Sequence, residues 1–206
     1  MTAVKICGMR TFADLETCRQ ADYLGFVVLS DSPRNLELST AQELMSCCGN
    51  LRVAVTTERR PRELENMVMD LEPDVLQLHS PLDRKLLASL SGMGVHLWGM
   101  LPATTDVIID AGCLHECQAL VLDTPSERLG GSGKVHDWDL SRRINRMIRP
   151  LPLVLAGGLR PDNVPEAIAK VVPFAVDVSS GVEEDGIKDR RKVDEFITNV
   201  KRVDGS

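Results

Sequence analysis

The chain has 206 residues, a formal net charge of −6 at pH 7, 43% hydrophobic residues and only 3% aromatic residues. This length suits one domain, and Leu, Val, Ile and Ala must fill most of its core. An acidic chain with no long basic block and no apolar run of about 18 residues is expected to bind neither nucleic acid nor membranes.

The beginning of the chain enters a strand pattern directly, without a signal peptide, which favours a cytoplasmic protein. No linker interrupts the sequence, so we expect residues 1–206 to form a single domain. Six irregularly spaced cysteines in a chain of this size indicate reduced thiols. The segment Cys113-Leu-His115-Glu-Cys117 lacks a second ligand pair and is expected on a helix surface. With no dinucleotide fingerprint either, neither a metal nor another cofactor is expected.

Short apolar runs alternate with amphipathic stretches along the whole chain. Eight apolar runs are predicted strands, at residues 4–7, 23–29, 52–56, 75–78, 96–101, 119–122, 153–156 and 175–178. The stretches between and after them predict helices at residues 12–19, 40–48, 61–71, 81–90, 139–148, 163–170 and 189–203. Residues 104–115 form the weakest predicted helix, because the segment is short and rich in β-branched side chains.

Eight repeats of a strand followed by a helix predict a single (β/α)8 TIM barrel, an α/β fold. The alternative is a doubly wound open sheet, which would place its glycine-rich loop after the first strand. Here the glycine-rich segments come late in the chain, after the sixth, seventh and eighth strands, which favours the barrel. Thr11 is the expected N-cap of the first helix, and Ser39 or Thr40 that of the second.

Two loops predict a phosphate site at the C-terminal ends of the strands, where barrels of this kind place their active sites. Gly157 and Gly158 follow the seventh strand, and Ser180 and Gly181 follow the eighth. Glycine lets the backbone approach an anion closely, and successive N–H groups can surround it. Two such loops on neighbouring strands favour phosphate binding over ordinary tight turns.

Cys7 and Asp123 end the first and sixth strands and form a candidate base and acid. Alternation places Cys7 on the same face as Lys5, which in a barrel points inward. A neighbouring cation lowers the pKa of a thiol, so Cys7 could act as a nucleophile or base rather than remain an inert buried thiol. A partly buried Asp123 would hold its proton as a general acid, or it could simply cap a loop.

Three further polar residues follow strands and could contact a substrate. Arg34 suits a carboxylate or phosphate, or could be a solvated loop residue. His79 could donate to a substrate or cap the following helix, and Asp177 could bind a sugar hydroxyl or satisfy loop amides. The glycine-rich segment 130–134 is expected to close over the site.

Several of these segments, taken together, resemble one enzyme family. They are VKICGMR, SPR, QLH, LVLDT followed by GGSGKVHDW, LAGGLRPDNVPEAI, and VDVSSGVEEDGIKD, and they extend nearly from end to end of the chain. In this order and spacing they resemble phosphoribosylanthranilate isomerase of tryptophan biosynthesis. The form GSGK-x-HD is similar to that of archaeal members.

The resemblance implies a single (β/α)8 barrel that works without a cofactor. Its reaction is an Amadori rearrangement of N-(5-phosphoribosyl)anthranilate to 1-(2-carboxyphenylamino)-1-deoxyribulose 5-phosphate. It also implies that Cys7 is the general base, Asp123 the general acid and Arg34 the partner of the anthranilate carboxylate, while His79 and Asp177 line the pocket. The implied phosphate-binding residues are Gly157, Gly158, Ser180 and Gly181.

The sequence departs from the family pattern on one side of the predicted barrel. The third strand reads VAVTT, QLHS stands for QLHG, and LWGMLP lacks a charged residue, which affects the contacts expected from the third to fifth strands. Two other functions stay open: a different sugar-phosphate isomerase or synthase, and a sensor that binds phosphate without turnover. The expected partner is a phosphorylated small molecule, and either a monomer or a homodimer is compatible with the acidic surface.

Overall fold

The computed structural model describes residues 1–107, 110–124 and 137–205. Eight parallel strands close into a barrel in the order of the chain, so the TIM-barrel prediction is correct. Each strand pairs with the next, and the barrel closes where β8 pairs with β1, opposing Lys5 to Asp177. The strands are β1 (Ala3–Cys7), β2 (Tyr23–Val27), β3 (Leu51–Thr56), β4 (Val75–Leu78), β5 (His96–Pro102), β6 (Ala119–Asp123), β7 (Leu153–Leu155) and β8 (Ala175–Val178).

The helices surround the barrel and follow the predicted ranges to within a few residues. They are α1 (Phe12–Cys18), α2 (Leu38–Ser46), α3 (Pro61–Leu71), α4 (Arg84–Leu90), α5 (Ala111–Leu114), α6 (Trp138–Met147), α7 (Val164–Val171) and α8 (Arg190–Asp204). The weakest predicted helix, at residues 104–115, is reduced to the single turn of α5.

Side chains at the helix beginnings explain where several helices start. Thr11 accepts a hydrogen bond from the backbone N–H of Asp14 at the start of α1, and the Asp14 carboxylate accepts from the Thr11 N–H, completing a capping box. The prediction for α2 was wrong: its N-cap is Glu37, whose side chain makes no capping bond, and Ser39 lies inside the first turn. The α4 prediction began too early, because Asp83 caps a helix that starts at Arg84.

Alternation along the strands divides the core into two layers. One face of each strand packs outward against the helices in a large layer of aliphatic side chains. The other face fills the barrel, where valines and alanines surround Trp98 and Tyr23, whose ring centroids are 5.1 Å apart. Lys5 lies among these inward-facing side chains and is fully buried, as the alternation of β1 predicts.

The chain between β8 and α8 contains an element that sequence patterns did not indicate. A 3₁₀ turn, Ser180–Val182, leads into a short antiparallel hairpin of β9 (Glu183–Glu184) and β10 (Ile187–Lys188). The hairpin packs against α1 and carries the second half of the VDVSSGVEEDGIKD segment to the C-terminal end of the barrel.

All six cysteines are free thiols, in agreement with the sequence. Cys47 is exposed and Cys48 half-buried, whereas Cys113 and Cys117 are buried in the outer core layer. The expected surface position of the Cys113–Cys117 segment is therefore wrong for its two thiols, which are both buried, one in α5 and one after it. No helix within the described ranges is long and apolar enough to cross a membrane.

Candidate active site

An open pocket of about 850 Å³ lies at the C-terminal ends of the strands. Nine residues singled out from the sequence all line it: Cys7, Arg34, His79, Asp123, Gly157, Gly158, Asp177, Ser180 and Gly181. They come from β1, β6 and β8, the β2–α2 loop, and the loops after β4, β7 and β8. Strand order thus collects residues that are up to about 170 positions apart in the sequence at one opening.

The Cys7 thiol occupies space that is free because its neighbour Gly25 has no side chain. Cys7 pairs in register with Gly25 of β2, and a Cβ atom at Gly25 would lie only 2.8 Å from the Cys7 sulfur. Any larger residue at position 25 would displace the thiol from the pocket wall. A glycine in the middle of the strand sequence YLGFV is the signal that could have predicted this close approach.

Below the thiol, Lys5 and Asp177 form a buried ion pair. The Lys5 ammonium donates to Asp177 Oδ2 at 2.7 Å, and the two side chains are only 0% and 8% exposed. Burial lowers the pKa of Lys5, but its interactions with Asp177 and Cys7 outweigh burial, and the pKa of Lys5 is raised. Asp177 lines the pocket, and its buried Oδ1 has no hydrogen-bond partner among the described residues.

The pKa of Cys7 is raised rather than lowered, contrary to the sequence-based expectation. Burial is the largest cause and favours the neutral thiol. Lys5 and Lys188 act in the expected direction, but Asp177 adds to the effect of burial. Cys7 is therefore a strong base when deprotonated and a neutral thiol over most of the neutral pH range.

Asp123 ends β6 in a setting that favours its protonated form. Burial raises the pKa of its carboxyl group, and the charge of Asp177 adds to this, while His79 opposes it. Its Oδ1 accepts a hydrogen bond from the Thr124 N–H at 2.7 Å, which fixes the carboxyl group at the strand end. The β7–α7 loop passes close by: a Cβ atom at Gly157 would lie 2.9 Å from Asp123 Oδ1, and the φ of +85° at this position also favours glycine.

His79 lies beside Asp123 rather than capping α4. Its Nε2 is 3.7 Å from Asp123 Oδ2, and its Nδ1 has no partner among the described residues. The α4 cap is supplied by Asp83, so His79 is free to face the pocket.

The two predicted phosphate loops present unused backbone N–H groups to the same end of the pocket. Gly157 and Gly158 both adopt positive φ, and the carbonyl of Gly158 is held by the Asn163 side chain. Within the described parts of the chain, the amides of Gly157, Gly158, Ser180 and Gly181 donate no hydrogen bond to another protein group. Successive free amides on two adjacent loops are suited to a phosphate group.

Arg34 lines the pocket and is held in place by a residue that sequence reasoning did not single out. Its Nε and Nη2 donate to the two oxygens of Glu183 at 3.1 and 2.7 Å. Glu183 also accepts from the ammonium of Lys188 at 2.7 Å. Glu183 and Lys188 both belong to the VDVSSGVEEDGIKD segment, but no sequence pattern predicts which residues they contact.

Neutral polar groups form the β3–β4 side of the pocket. Thr56, Thr57 and Gln77 line this wall, and Thr56 donates to the carbonyl of Leu29 at 3.1 Å. The predicted closing segment 130–134 lies outside the described residues. In the part of the chain that is described, no group of three or more metal-ligating side chains comes together.

Comparison with known proteins decides the family. The model of the family "N-(5'phosphoribosyl)anthranilate (PRA) isomerase" matches residues 4–199. The chain belongs to the PRA isomerase family. It is 37% identical to N-(5'-phosphoribosyl)anthranilate isomerase of Methanothrix thermoacetophila over 98% of this chain and 99% of that protein.

Solved PRA isomerases share the fold at nearly full length. A structure of monomers generated from the dimeric enzyme of Thermotoga maritima superposes with a TM-score of 0.80 at 30% identity, covering 98% of this chain and 100% of that one. A PRA isomerase in complex with reduced 1-(o-carboxyphenylamino)-1-deoxyribulose 5-phosphate superposes with a TM-score of 0.79 at 29% identity, with the same coverage.

Proposed function

We propose that this protein is a phosphoribosylanthranilate isomerase of tryptophan biosynthesis in which Cys7 is the general base and Asp123 the general acid. It converts N-(5-phosphoribosyl)anthranilate to 1-(2-carboxyphenylamino)-1-deoxyribulose 5-phosphate without a cofactor. Family membership supports the reaction. The observation that carries the residue assignment is the presence of a half-buried thiol and a half-buried carboxyl group at strand ends of one pocket.

Asp123 begins the reaction by protonating the ring oxygen of the ribose. The lone pair of the anilino nitrogen then opens the ring and forms an iminium group at C1. Burial keeps the Asp123 carboxyl group protonated to a higher pH than an exposed aspartate, which suits a proton donor.

Cys7 completes the reaction as a thiolate by removing the proton from C2. The electron pair of the broken C–H bond moves toward the iminium nitrogen, giving an enolamine that tautomerises to the ketone. The substrate supplies its own electron sink, so the chemistry requires no cofactor. Lys5 and Lys188 favour the thiolate form that this step needs.

The two ends of the substrate position the reacting carbon between base and acid. The phosphate is proposed to bind the free amides of the loops that contain Gly157, Gly158, Ser180 and Gly181. Arg34 is proposed to bind the anthranilate carboxylate, and Asp177 a ribose hydroxyl through its unpaired Oδ1. Fixing both ends lowers the entropic part of the barrier.

The decisive experiment follows the fluorescence of freshly generated phosphoribosylanthranilate with the wild type and with Cys7→Ala. We expect the wild type to consume the substrate and Cys7→Ala to lose turnover by roughly 10²–10⁴-fold, the range for loss of a general base. Binding of the reduced product analogue should persist in Cys7→Ala, because the contacts to phosphate and carboxylate are intact.

Two results would contradict the proposal in different ways. A folded wild type that binds the analogue but turns over no substrate would exclude the reaction and favour a phosphate-binding sensor. Turnover by Cys7→Ala at the wild-type rate would keep the reaction and exclude Cys7 as the base. Because a Thermotoga maritima relative is a dimer, sedimentation of the same sample tests whether this chain also forms a homodimer.

A further inference from the structure

A charged cluster lies next to the pocket, and none of its groups gives or takes a proton in the steps described above. It consists of Arg34, Glu183 and Lys188, and of these only Arg34 lines the pocket. The side chains of Glu183 and Lys188 are 6% and 1% exposed. A buried carboxylate is costly unless cations surround it, so such a cluster requires an explanation.

Glu183 fixes one edge of the Arg34 guanidinium and leaves another edge unused. The bonds from Nε and Nη2 occupy the side edge of the planar group. Among the described residues, Nη1 has no hydrogen-bond partner, so the end edge formed by Nη1 and the second N–H of Nη2 is available. That edge can bind a second carboxylate with two parallel hydrogen bonds.

The stem of Arg34 is fixed as firmly as its head. A Cβ atom at Gly8 would lie 2.6 Å from Arg34 Cδ and 3.3 Å from its Nε, so the side chain lies directly over the backbone that follows Cys7. Arg34 is thereby confined between Gly8 below and Glu183 beside it. This confinement removes rotamer freedom that an unrestrained arginine would lose on binding a ligand.

Lys188 attaches the cluster to the strand ends that form the site. Its ammonium donates to the carbonyl of Cys7 at 2.7 Å, to that of Ser179 at 3.2 Å and to Glu183 at 2.7 Å, which uses all three of its N–H groups. With Arg34 and Lys188 cationic and Glu183 anionic, the cluster carries one net positive charge. A substrate carboxylate would neutralise that charge.

We propose that Glu183 is a positioning residue that makes the pocket selective for an aromatic amine carrying an ortho carboxylate, because it holds Arg34 with its free edge toward the substrate. The inference rests on the proposed function and deepens it. Glu183 acts through Arg34 and does not touch the substrate. Its role is therefore distinct from general packing of the β9–β10 hairpin.

Two ligands test this selectivity directly. They are reduced 1-(o-carboxyphenylamino)-1-deoxyribulose 5-phosphate and the same compound with a phenyl ring lacking the carboxylate. We expect the wild type to bind the carboxylate-bearing compound more tightly, and Glu183→Gln to reduce that preference by about tenfold, in line with a weakened charge-assisted contact. The affinity of Glu183→Gln for the compound lacking the carboxylate should stay unchanged. For turnover we expect KM to rise and kcat to be retained.

The neighbouring residue Glu184 provides a matched control. It lies in the same hairpin but is 66% exposed, and its partner Lys192 is also on the surface. Glu184→Gln is the same chemical change and should leave both affinities and KM as in the wild type. Thermal unfolding of both variants monitors folding, and Glu183→Asp, which retains the charge on a shorter stem, should show the same selective loss if Glu183→Gln does not fold.

Each remaining outcome would overturn either this inference or the proposed function. Equal weakening of both ligands by Glu183→Gln, or a fall in kcat alone, would make Glu183 a structural residue and overturn the inference. An unchanged preference in Glu183→Gln would do the same. A wild type that turns over no phosphoribosylanthranilate would instead overturn the proposed function, and the inference with it.

Discussion

The proposed mechanism requires Cys7 as a thiolate and Asp123 as a carboxylic acid, and this pair of protonation states is the less stable one. The pKa of Cys7 and the pKa of Asp123 are both raised by burial, yet a thiol starts from a far higher ordinary value than a carboxyl group. With the pKa of Cys7 above that of Asp123, the dominant form between the two pKa values has a protonated Cys7 and an ionised Asp123. The reactive form, with thiolate and carboxylic acid, is a minor one whose fraction is constant between the two pKa values.

These protonation states predict which residue causes the loss of activity at each end of the pH profile. For the wild type we expect kcat/KM to show a plateau that falls below the pKa of Asp123 and above the pKa of Cys7. In Asp123→Asn only the thiolate fraction matters, so the residual rate should rise with pH up to the pKa of Cys7. Steady-state rates from pH 5 to 10 for both proteins test this, since ionisation of the substrate phosphate is common to both. A residual rate of Asp123→Asn that is independent of pH would contradict the assignment.

Replacing Asp123 should also separate activity from stability. Because the folded state raises the pKa of Asp123, this carboxyl group opposes folding at neutral pH, and the cost is lost as pH falls from the folded pKa to the unfolded value of about 3.9. We expect Asp123→Asn to lose about 10²–10⁴-fold in kcat while its Tm at pH 7 is equal to or above that of the wild type. A lower Tm at pH 7 would show that the carboxylate stabilises the fold.

At the scale of single elements, the capping box of α1 is the clearest local determinant. Thr11 and Asp14 satisfy backbone N–H groups that the first turn would otherwise leave unpaired. We expect Thr11→Ala to lower the free energy of unfolding by about 1 kcal/mol, as measured by urea denaturation. Ser39→Ala is the control, because Ser39 lies inside the first turn of α2 and makes no capping bond; we expect a change within about 0.5 kcal/mol.

The hairpin after β8 shows which elements sequence patterns identify and which they miss. β8 is predictable because a run of apolar residues fits a strand buried on both faces. β9 and β10 have two residues each and carry Glu183, Glu184 and Lys188. Their position depends on the Arg34–Glu183 ion pair and on the hydrogen bond from Lys188 to the Cys7 carbonyl, both with partners far away in the sequence, rather than on periodicity. Tertiary contacts of this kind leave no local pattern to read.

At the scale of the whole molecule, the fold and most of the pocket were accessible from the sequence. Parallel strand order brings every strand end to one side, so finding Cys7, Asp123 and Gly157 at strand ends was enough to place them together. The net effect on the thiol was not accessible, because it requires the burial of Cys7 and the position of Asp177 in addition to that of Lys5. The sequence identifies the charged neighbours of Cys7, but only the packed structure shows whether their charges or burial has the larger effect on its pKa.

Acid should weaken the fold through its paired carboxylates. Burial opposes ionisation of Glu183, but hydrogen bonds from Arg34 and Lys188 outweigh it and lower its pKa in the folded state. Its contribution to stability is complete above the unfolded value of about 4.3 and is lost as pH falls through the folded pKa. We expect the free energy of unfolding to decrease as pH falls through this range, and to decrease less steeply in Glu183→Gln. Parallel slopes in urea titrations of the two proteins would contradict this.

The six thiols differ in solvent exposure, so a covalent thiol reagent can distinguish them. Cys47 is exposed, Cys7 and Cys48 are half-buried, and Cys18, Cys113 and Cys117 are buried. A maleimide should therefore modify one site quickly and two slowly in the native protein, and all six after denaturation. Of the two slow sites, only Cys7 lines the pocket, so only Cys7 should be shielded by the product analogue. Mass spectrometry of the labelled peptides would thus report on occupancy of the pocket without any turnover.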